Sequence, residues 1–228
     1  MEDLFLHLVN LDDSFWRISR DELVLKWVTG GPVLDVGCGV GGTTKSLLEN
    51  GFDTYSIDSS KKACNLVSKI NPQTRCVDIT AVDERKFPKF KAIILLDVLE
   101  HIQDDKKALE SVYALLARGG RVVISVPYHN MLWNKTDKYH YRRYSRRQLK
   151  KILEETGFTV KTMRFWNMLS LAPLLLSKAC GFEVSHKKIA HSPLNSVLKW
   201  YFLRFENRVH VPIGSQLFCL AEKSHQKN

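Results

Sequence analysis

The sequence predicts a doubly wound α/β domain built on a parallel sheet, and three observations carry that expectation. The first is PVLDVGCGVGGTTKSLL, Pro32 to Leu48: an apolar run meets an acid at Asp35, passes Gly37, Gly39, Gly41 and Gly42, and turns toward helical composition. A strand feeding a glycine loop and then a helix is the nucleotide-binding turn of such sheets, because glycine lets a ligand lie on bare backbone. The second is Ala92 to Leu96, a continuous apolar run as expected of a central strand covered on both faces. The third is the carboxylates that stand where strands end, Asp58, Asp78 and Asp97. Ligands of parallel sheets bind at those carboxyl ends.

At 228 residues, 44% hydrophobic and 25% charged, the chain has the size and composition of one soluble domain with an appendage. Its five cysteines, Cys38, Cys64, Cys76, Cys180 and Cys219, show no CxxC pair and no metal-ligand spacing. They read as buried thiols of a reducing compartment, so no disulfide framework and no metal ion are expected. The N-terminus carries acids where a signal peptide needs bases, which points to a cytoplasmic protein. The net charge of +10 is uneven. Met1 to Thr136 holds 17 Lys/Arg against 18 Asp/Glu, and Asp137 to Asn228 holds 17 against 6. The basic half suggests an anionic partner: an acidic substrate, a membrane surface or nucleic acid. A solvated basic face is the plain alternative.

In chain order, a helix is expected from Asp12 to Thr29, with Phe15, Trp16, Leu23, Val24 and Trp27 as its buried stripe and Gly30-Gly31 as its stop. The helix after the glycine loop runs to Asn50-Gly51, and strand two, from Asp53, ends at Asp58. Ser60 to Ile70 reads as a helix that Asp58 could cap, and Thr74 to Val77 as a short third strand. Asp104 to Ala117 opens with acids and closes at Gly119-Gly120, as the helix dipole and a glycine C-cap favour. A fifth strand is expected over Arg121 to Val126, a helix over Ser145 to Thr156, a strand over Phe158 to Arg164 and a last strand over Gln216 to Glu222. The organisation expected is an N-terminal helical segment (1–30), a ligand-binding core (31–164), a substrate-cap insertion (165–214), and the last core strand with its tail (215–228).

Gly37, Gly39 and Gly42 also satisfy the dinucleotide fingerprint, and Asp35 decides between the readings. A carboxylate beside the loop repels a pyrophosphate and suits a ligand bearing an ammonium or sulfonium group. The acid followed by alternating glycines, with Asp58, Asp78-Ile79 and the Asp97-Val-Leu-Glu-His-Ile102 segment behind it in order, resembles the class I S-adenosylmethionine-dependent methyltransferases. The likeness covers Pro32 to Arg164 plus the final strand. It implies a Rossmann-like, doubly wound seven-stranded sheet with helices on both faces and a helical cap insertion before the last strand. It further implies S-adenosylmethionine as cofactor and S-adenosylhomocysteine as product, held by Asp35, Gly37, Gly39, Gly41, Asp58, Ser59, Asp78, Ile79, Leu96 and Asp97. In that scheme Asp58 grips the ribose, Asp78 takes the adenine amine while Ile79 stacks, and Leu96-Asp97 approach the methionine moiety. No D/N-P-P-Y element follows strand four, which argues against DNA and protein-amide N-methylation.

Methyl transfer from a sulfonium needs in-line positioning more than a fixed catalytic residue. The loop after strand five offers His129, Asp137, His140, Tyr141 and Tyr144 together with Arg142, Arg143, Arg146 and Arg147. His140, in a His-x-Arg-Arg-Tyr-Ser string, is the candidate base, because histidine titrates near neutrality. His129, Tyr141, Arg143 and Tyr144 are the candidates for holding the acceptor, and His101 reads as a residue that caps or orients its loop. VLKWYFLRF (Val197 to Phe205) mixes aromatics with cations and suits either a lid or a membrane interface. The expected function is methylation, most simply O-methylation, of a small-molecule acceptor that is anionic or lipid-linked. An RNA methyltransferase, a non-catalytic S-adenosylmethionine-binding scaffold and a nicotinamide oxidoreductase stand as alternatives, the last disfavoured by Asp35.

Overall fold

In the computed structural model, residues 14–128, 140–173 and 192–224 are described. The elements run α1 (Phe15–Leu25), β1 (Pro32–Val36), α2 (Gly42–Glu49), β2 (Asp53–Asp58), α3 (Lys61–Val67), β3 (Thr74–Cys76), β4 (Phe90–Leu96), α4 (Asp105–Leu115), β5 (Leu116–Pro127), α5 (Arg146–Glu155), β6 (Phe158–Trp166), α6 (Leu194–Tyr201) and β7 (Gln216–Lys223). The strands form one seven-stranded sheet in the order β3-β2-β1-β4-β5-β7-β6. β1 to β5 pair in parallel, and β7 enters antiparallel between β5 and β6. This is the doubly wound sheet expected from the sequence. The strand order reverses between β1 and β4, and that switch point opens a crevice at their carboxyl ends.

Strand periodicity sorts the core into two layers. Ile93 and Leu95 of β4 face α4 and α5, where Leu109, Val112, Leu149 and Leu153 meet them. Ala92, Ile94 and Leu96 face the other way, onto Phe15, Leu23 and Val24 of α1, Leu47 of α2, and Trp166 and Phe202. Local caps fix the helix starts. Ser14 accepts from the Trp16 N–H (3.3 Å), Asp104 from Lys107 (3.0 Å), and Ser145 forms a reciprocal box with Gln148.

Several boundaries differ from expectation. α1 ends at Leu25 instead of Thr29, and the expected start at Asp12 lies outside the described residues. α4 stops at Leu115, not Ala117, because Leu116 turns extended and pairs with Phe90. The Gly119-Gly120 pair therefore lies inside a longer β5 and does not cap the helix. β6 runs on through Phe165 and Trp166, expected to open the insertion, because Trp166 pairs with Gln216 and is fully buried.

Residues 192–214 lead into β7 and pack against α1. The Phe15 and Phe202 rings stack at 5.4 Å, and the Phe15 N–H donates to Asn195 Oδ1 (2.7 Å). Arg164, buried on β6, donates to the Asn207 and Val209 carbonyls (3.3 and 2.7 Å). Asn207 joins three segments, because its Nδ2 donates to the Ser19 carbonyl (2.7 Å) and its Oδ1 accepts from the Trp166 indole (2.8 Å). Glu206 beside it accepts from the Met168 N–H (3.0 Å), and burial pushes its carboxyl up. No helix among the described residues is long and apolar enough to cross a membrane.

Candidate active site

The glycine loop is tied to the end of β2. The N–H groups of Gly37 and Cys38 donate to the Ile57 carbonyl (2.8 and 3.1 Å), and Gly39 N–H donates to Asp58 Oδ2 (2.9 Å). Gly37 has φ +68° and a Cβ there would lie 2.6 Å from a Val98 methyl. Gly39 has φ +53°, but its Cβ direction is open, with the nearest atom 3.9 Å away. The first glycine is required by packing, and the second leaves a bare shelf on which a ligand can rest.

Acids surround that shelf. Asp35 lies beneath it, 3% exposed, with Thr44 Oγ1 donating to its Oδ2 (2.7 Å) and Thr44 in turn bonded to Ser56 (2.9 Å). Burial pushes the Asp35 carboxyl up to about 7, against the pull of the Thr44 hydrogen bond. Asp58 accepts from Gly39 through one oxygen and from the Ser60 N–H (2.8 Å) through the other. Ser60, not Asp58, supplies the α3 cap. Each Asp58 oxygen keeps a second lone pair for a ligand hydroxyl. Ser59 beside it is exposed. Asp78 is also exposed, and one of its oxygens takes both the N–H and the hydroxyl of Thr80 (2.8 Å each).

Ile79 is 4% exposed and packed against the core. Leu96 is likewise buried at the end of β4, and the chain then turns at Asp97, a non-glycine residue with φ +56°. Asp97 is held there by its N–H to the Ser125 carbonyl (3.0 Å) and by Arg20 Nη1 on its Oδ2 (3.2 Å). Such a backbone outlier survives only where its surroundings over-determine it.

Arg20 belongs to a cluster that the sequence reading did not single out. From α1 it reaches Asp97 and the Thr43 hydroxyl (3.3 Å), and its guanidinium lies 4.4 Å from the Trp16 ring centroid. Buried Asp21 accepts from Thr43 (3.0 Å), Ser46 (2.8 Å) and Arg17 (3.0 Å). These bonds clamp α1 over the start of α2. The available signal was charge at helical spacing, Arg17, Arg20 and Asp21, flanking an aromatic stripe.

Beyond β5, His129 and Asp137 lie outside the described residues. Tyr144 is 4% exposed, bridges to Tyr128 and donates its hydroxyl to Asp105 (2.6 Å). Burial and the Asp105 carboxylate push that hydroxyl well up. Arg142 pairs with the same Asp105 and donates to the Gln103 carbonyl (2.6 Å). Arg143 is half-buried and Tyr141 exposed; Arg146 and Arg147 stand exposed on the first turn of α5, where Arg146 donates to the Met163 carbonyl (3.1 Å). His140 is half-buried with its ring centroid 4.5 Å from that of His101, so the two imidazoles form one feature.

The sheet order, the glycine shelf and its ring of acids fit one known architecture. A family model described as "Methyltransferase domain" matches residues 12–162, about two thirds of the chain. The chain belongs to that methyltransferase family. The methyltransferase is 29% identical over 115 residues to a ubiquinone biosynthesis O-methyltransferase of Alkalilimnicola ehrlichii, a match covering 48% of this chain and 47% of that protein. It thus spans about half the length of the curated relatives it matches. A methyltransferase from Haloferax volcanii, solved with the Trm112 methyltransferase activator, superposes with TM-score 0.71 at 13% identity, covering 100% of this chain and 97% of that one. The Burkholderia thailandensis 1,6-didemethyltoxoflavin-N1-methyltransferase, solved with its acceptor and S-adenosylhomocysteine, superposes with TM-score 0.59 at 18% identity, covering 95% and 81%. These superpositions show the shared fold. The methyltransferase depends on S-adenosylmethionine, and its own residues fit that cofactor: the open Gly39 shelf accepts close approach, and the acids complement its ammonium and sulfonium charges.

Proposed function

We propose that this methyltransferase O-methylates a small-molecule acceptor, an anionic or lipid-linked hydroxyl compound, in the reducing setting of the cytoplasm. The observation that carries the reading is the imidazole pair His101–His140, 4.5 Å apart, next to the turn that carries Asp97. A hydroxyl must shed its proton as it attacks, and neutral imidazole is the side chain suited to that near pH 7. The name of the Alkalilimnicola ehrlichii relative agrees with a hydroxyl acceptor. The described cysteines, Cys38, Cys64, Cys76 and Cys219, are free thiols, in keeping with a reducing compartment.

S-adenosylmethionine supplies an electrophilic methyl group on a sulfonium leaving group. We assign Asp58 to its ribose, Gly37, Gly39 and Gly41 to its close approach, Asp78 to its adenine amine, and Asp35 and Asp97 to its positive end. His140, Tyr141 and Arg143 are assigned to the acceptor. Holding the reactants in line can contribute about 7–11 kcal/mol. Calorimetry with S-adenosylmethionine, S-adenosylhomocysteine and NAD tests the cofactor half. Micromolar binding of the adenosyl ligands is expected, weakened about tenfold to a hundredfold in Asp58→Ala because charged hydrogen bonds are lost. Labelled methyl transfer to phenolic and anionic hydroxyl acceptors, with RNA in parallel, tests the rest. Label in RNA alone would overturn the proposal.

A lipid-linked acceptor is favoured by one surface. Val197, Trp200 and Phe205 are exposed on α6 and the turn after it, with Arg204 and Arg208 exposed beside them. An apolar face edged by cations suits an anionic bilayer surface. The protein is expected to co-sediment with phosphatidylglycerol vesicles, and salt should weaken binding. Loss of binding in a Trp200→Ala/Phe205→Ala variant that keeps its cofactor affinity would locate the contact. No sedimentation at low salt would remove the membrane from the proposal.

A further inference from the structure

The turn after β4 and the segment leading into α5 bring together three side chains of metal-ligand type. Ligand atoms of Glu100, His101 and His140 all lie within 4.8 Å of one another. The Tyr141 N–H donates to the Glu100 carbonyl (2.8 Å), so the two segments are stitched at the cluster itself. Glu100 is fully buried, His140 half-buried and His101 exposed, which grades the cluster from interior to solvent. The location is the carboxyl edge of the sheet, and Glu100 lies in the same turn as Asp97.

We propose that Glu100, His101 and His140 bind one divalent transition-metal ion whose open coordination positions take the acceptor's hydroxyl oxygen. Two imidazoles and one carboxylate are a recognised set for such ions, and they leave positions free for other ligands. Bonds of about 2.0–2.2 Å place ligands no more than about 4.4 Å apart across an ion. Ligand atoms that all lie within 4.8 Å of one another come close to that span. The interior carboxylate supplies a compensating charge, and the exposed His101 gives the ion a way in.

The catalytic part of this inference rests on O-methylation and changes the job of His140 there from base to ligand. Coordination acidifies a bound hydroxyl as it does bound water. The hydroxyl proton leaves to solvent, the oxygen–carbon bond forms as the carbon–sulfur bond breaks, and the sulfonium becomes a neutral thioether. The ion keeps its oxidation state.

Chelator-treated protein titrated calorimetrically with Zn2+, Mn2+ and Mg2+ provides the test, with S-adenosylhomocysteine titrated into every variant as the control for folding. One equivalent of Zn2+ or Mn2+ is expected to bind, about tenfold to a hundredfold more weakly in His101→Ala and His140→Ala, while S-adenosylhomocysteine affinity holds. Co2+ added to wild type should give ligand-field absorption of a nitrogen- and oxygen-bound ion, a readout that needs no variant. Absence of saturable binding by any ion, or binding indifferent to both histidine variants, overturns the site. Full methylation of a hydroxyl acceptor after chelation overturns its catalytic part and leaves O-methylation standing. Metal binding without hydroxyl methylation leaves the site standing and overturns O-methylation together with the catalytic part that rests on it.

Discussion

Replacing Gly39 by alanine is expected to keep the fold and strip the protein of its cofactor, whereas Gly37→Ala is expected to damage the fold itself. Both positions have positive φ, which costs an L-residue about 1–2 kcal/mol. At Gly39 that is the whole structural cost, because the new methyl group meets nothing nearer than 3.9 Å. At Gly37 the methyl group collides with Val98 at 2.6 Å, and overpacking adds about 1–3 kcal/mol. With Tm falling about 2–4 °C per kcal/mol in a chain of this size, melts should drop by about 2–8 °C for Gly39→Ala and about 4–20 °C for Gly37→Ala. The Gly39 methyl group occupies the shelf on which the adenosyl ligand would rest. Its intrusion should weaken S-adenosylhomocysteine by about fivefold to a hundredfold. Equal melting losses in the two variants, or unchanged affinity in Gly39→Ala, would mean that the ligand lies elsewhere.

The Asp35→Asn variant is expected to be more stable than wild type at pH 8 and to bind the cofactor worse. Raising a carboxyl from 3.8 to about 7 corresponds to roughly 4 kcal/mol. The folded chain holds this proton more tightly than the unfolded chain does. Wild-type stability therefore falls as pH rises from about 4 to about 7, and the full cost remains above that. Asparagine removes the charge and can still accept from Thr44. The gain should be absent near pH 4 and reach a few kcal/mol at pH 8, read from melts across that range. A cationic ligand reverses the balance, because its charge stabilises the carboxylate. Wild-type affinity for S-adenosylmethionine should rise through pH 7, and that rise should vanish in Asp35→Asn. A flat wild-type profile between pH 6 and 8 would show that Asp35 does not sense the ligand.

What was legible in the sequence follows from how local each signal is. The glycine loop, the β4 run and the acids at strand ends depend on neighbours within a few residues, and they appear in the structure in the expected places. Asp58 was readable because β2 must end beside the loop that follows β1, and its carboxylate reaches Gly39. The burial of Ile79 and Tyr144 was not legible. Their motifs say that they lie near the crevice, but how deeply a side chain is buried is decided by core packing from distant strands and helices. The early end of α4 has a similar origin, since pairing of Leu116 with Phe90 overrides a glycine stop. The His101–His140 pair and the Arg20–Asp97 contact were invisible because each joins segments far apart in the chain.

Asn207 has a mechanical consequence. Its one amide fastens Ser19 of α1 to Trp166 of β6, and α1 carries Arg20 to Asp97. The helix that clamps the start of α2 and the segment preceding the last strand are thus fastened to β6 through a single side chain, so loss of that one amide would release both attachments together.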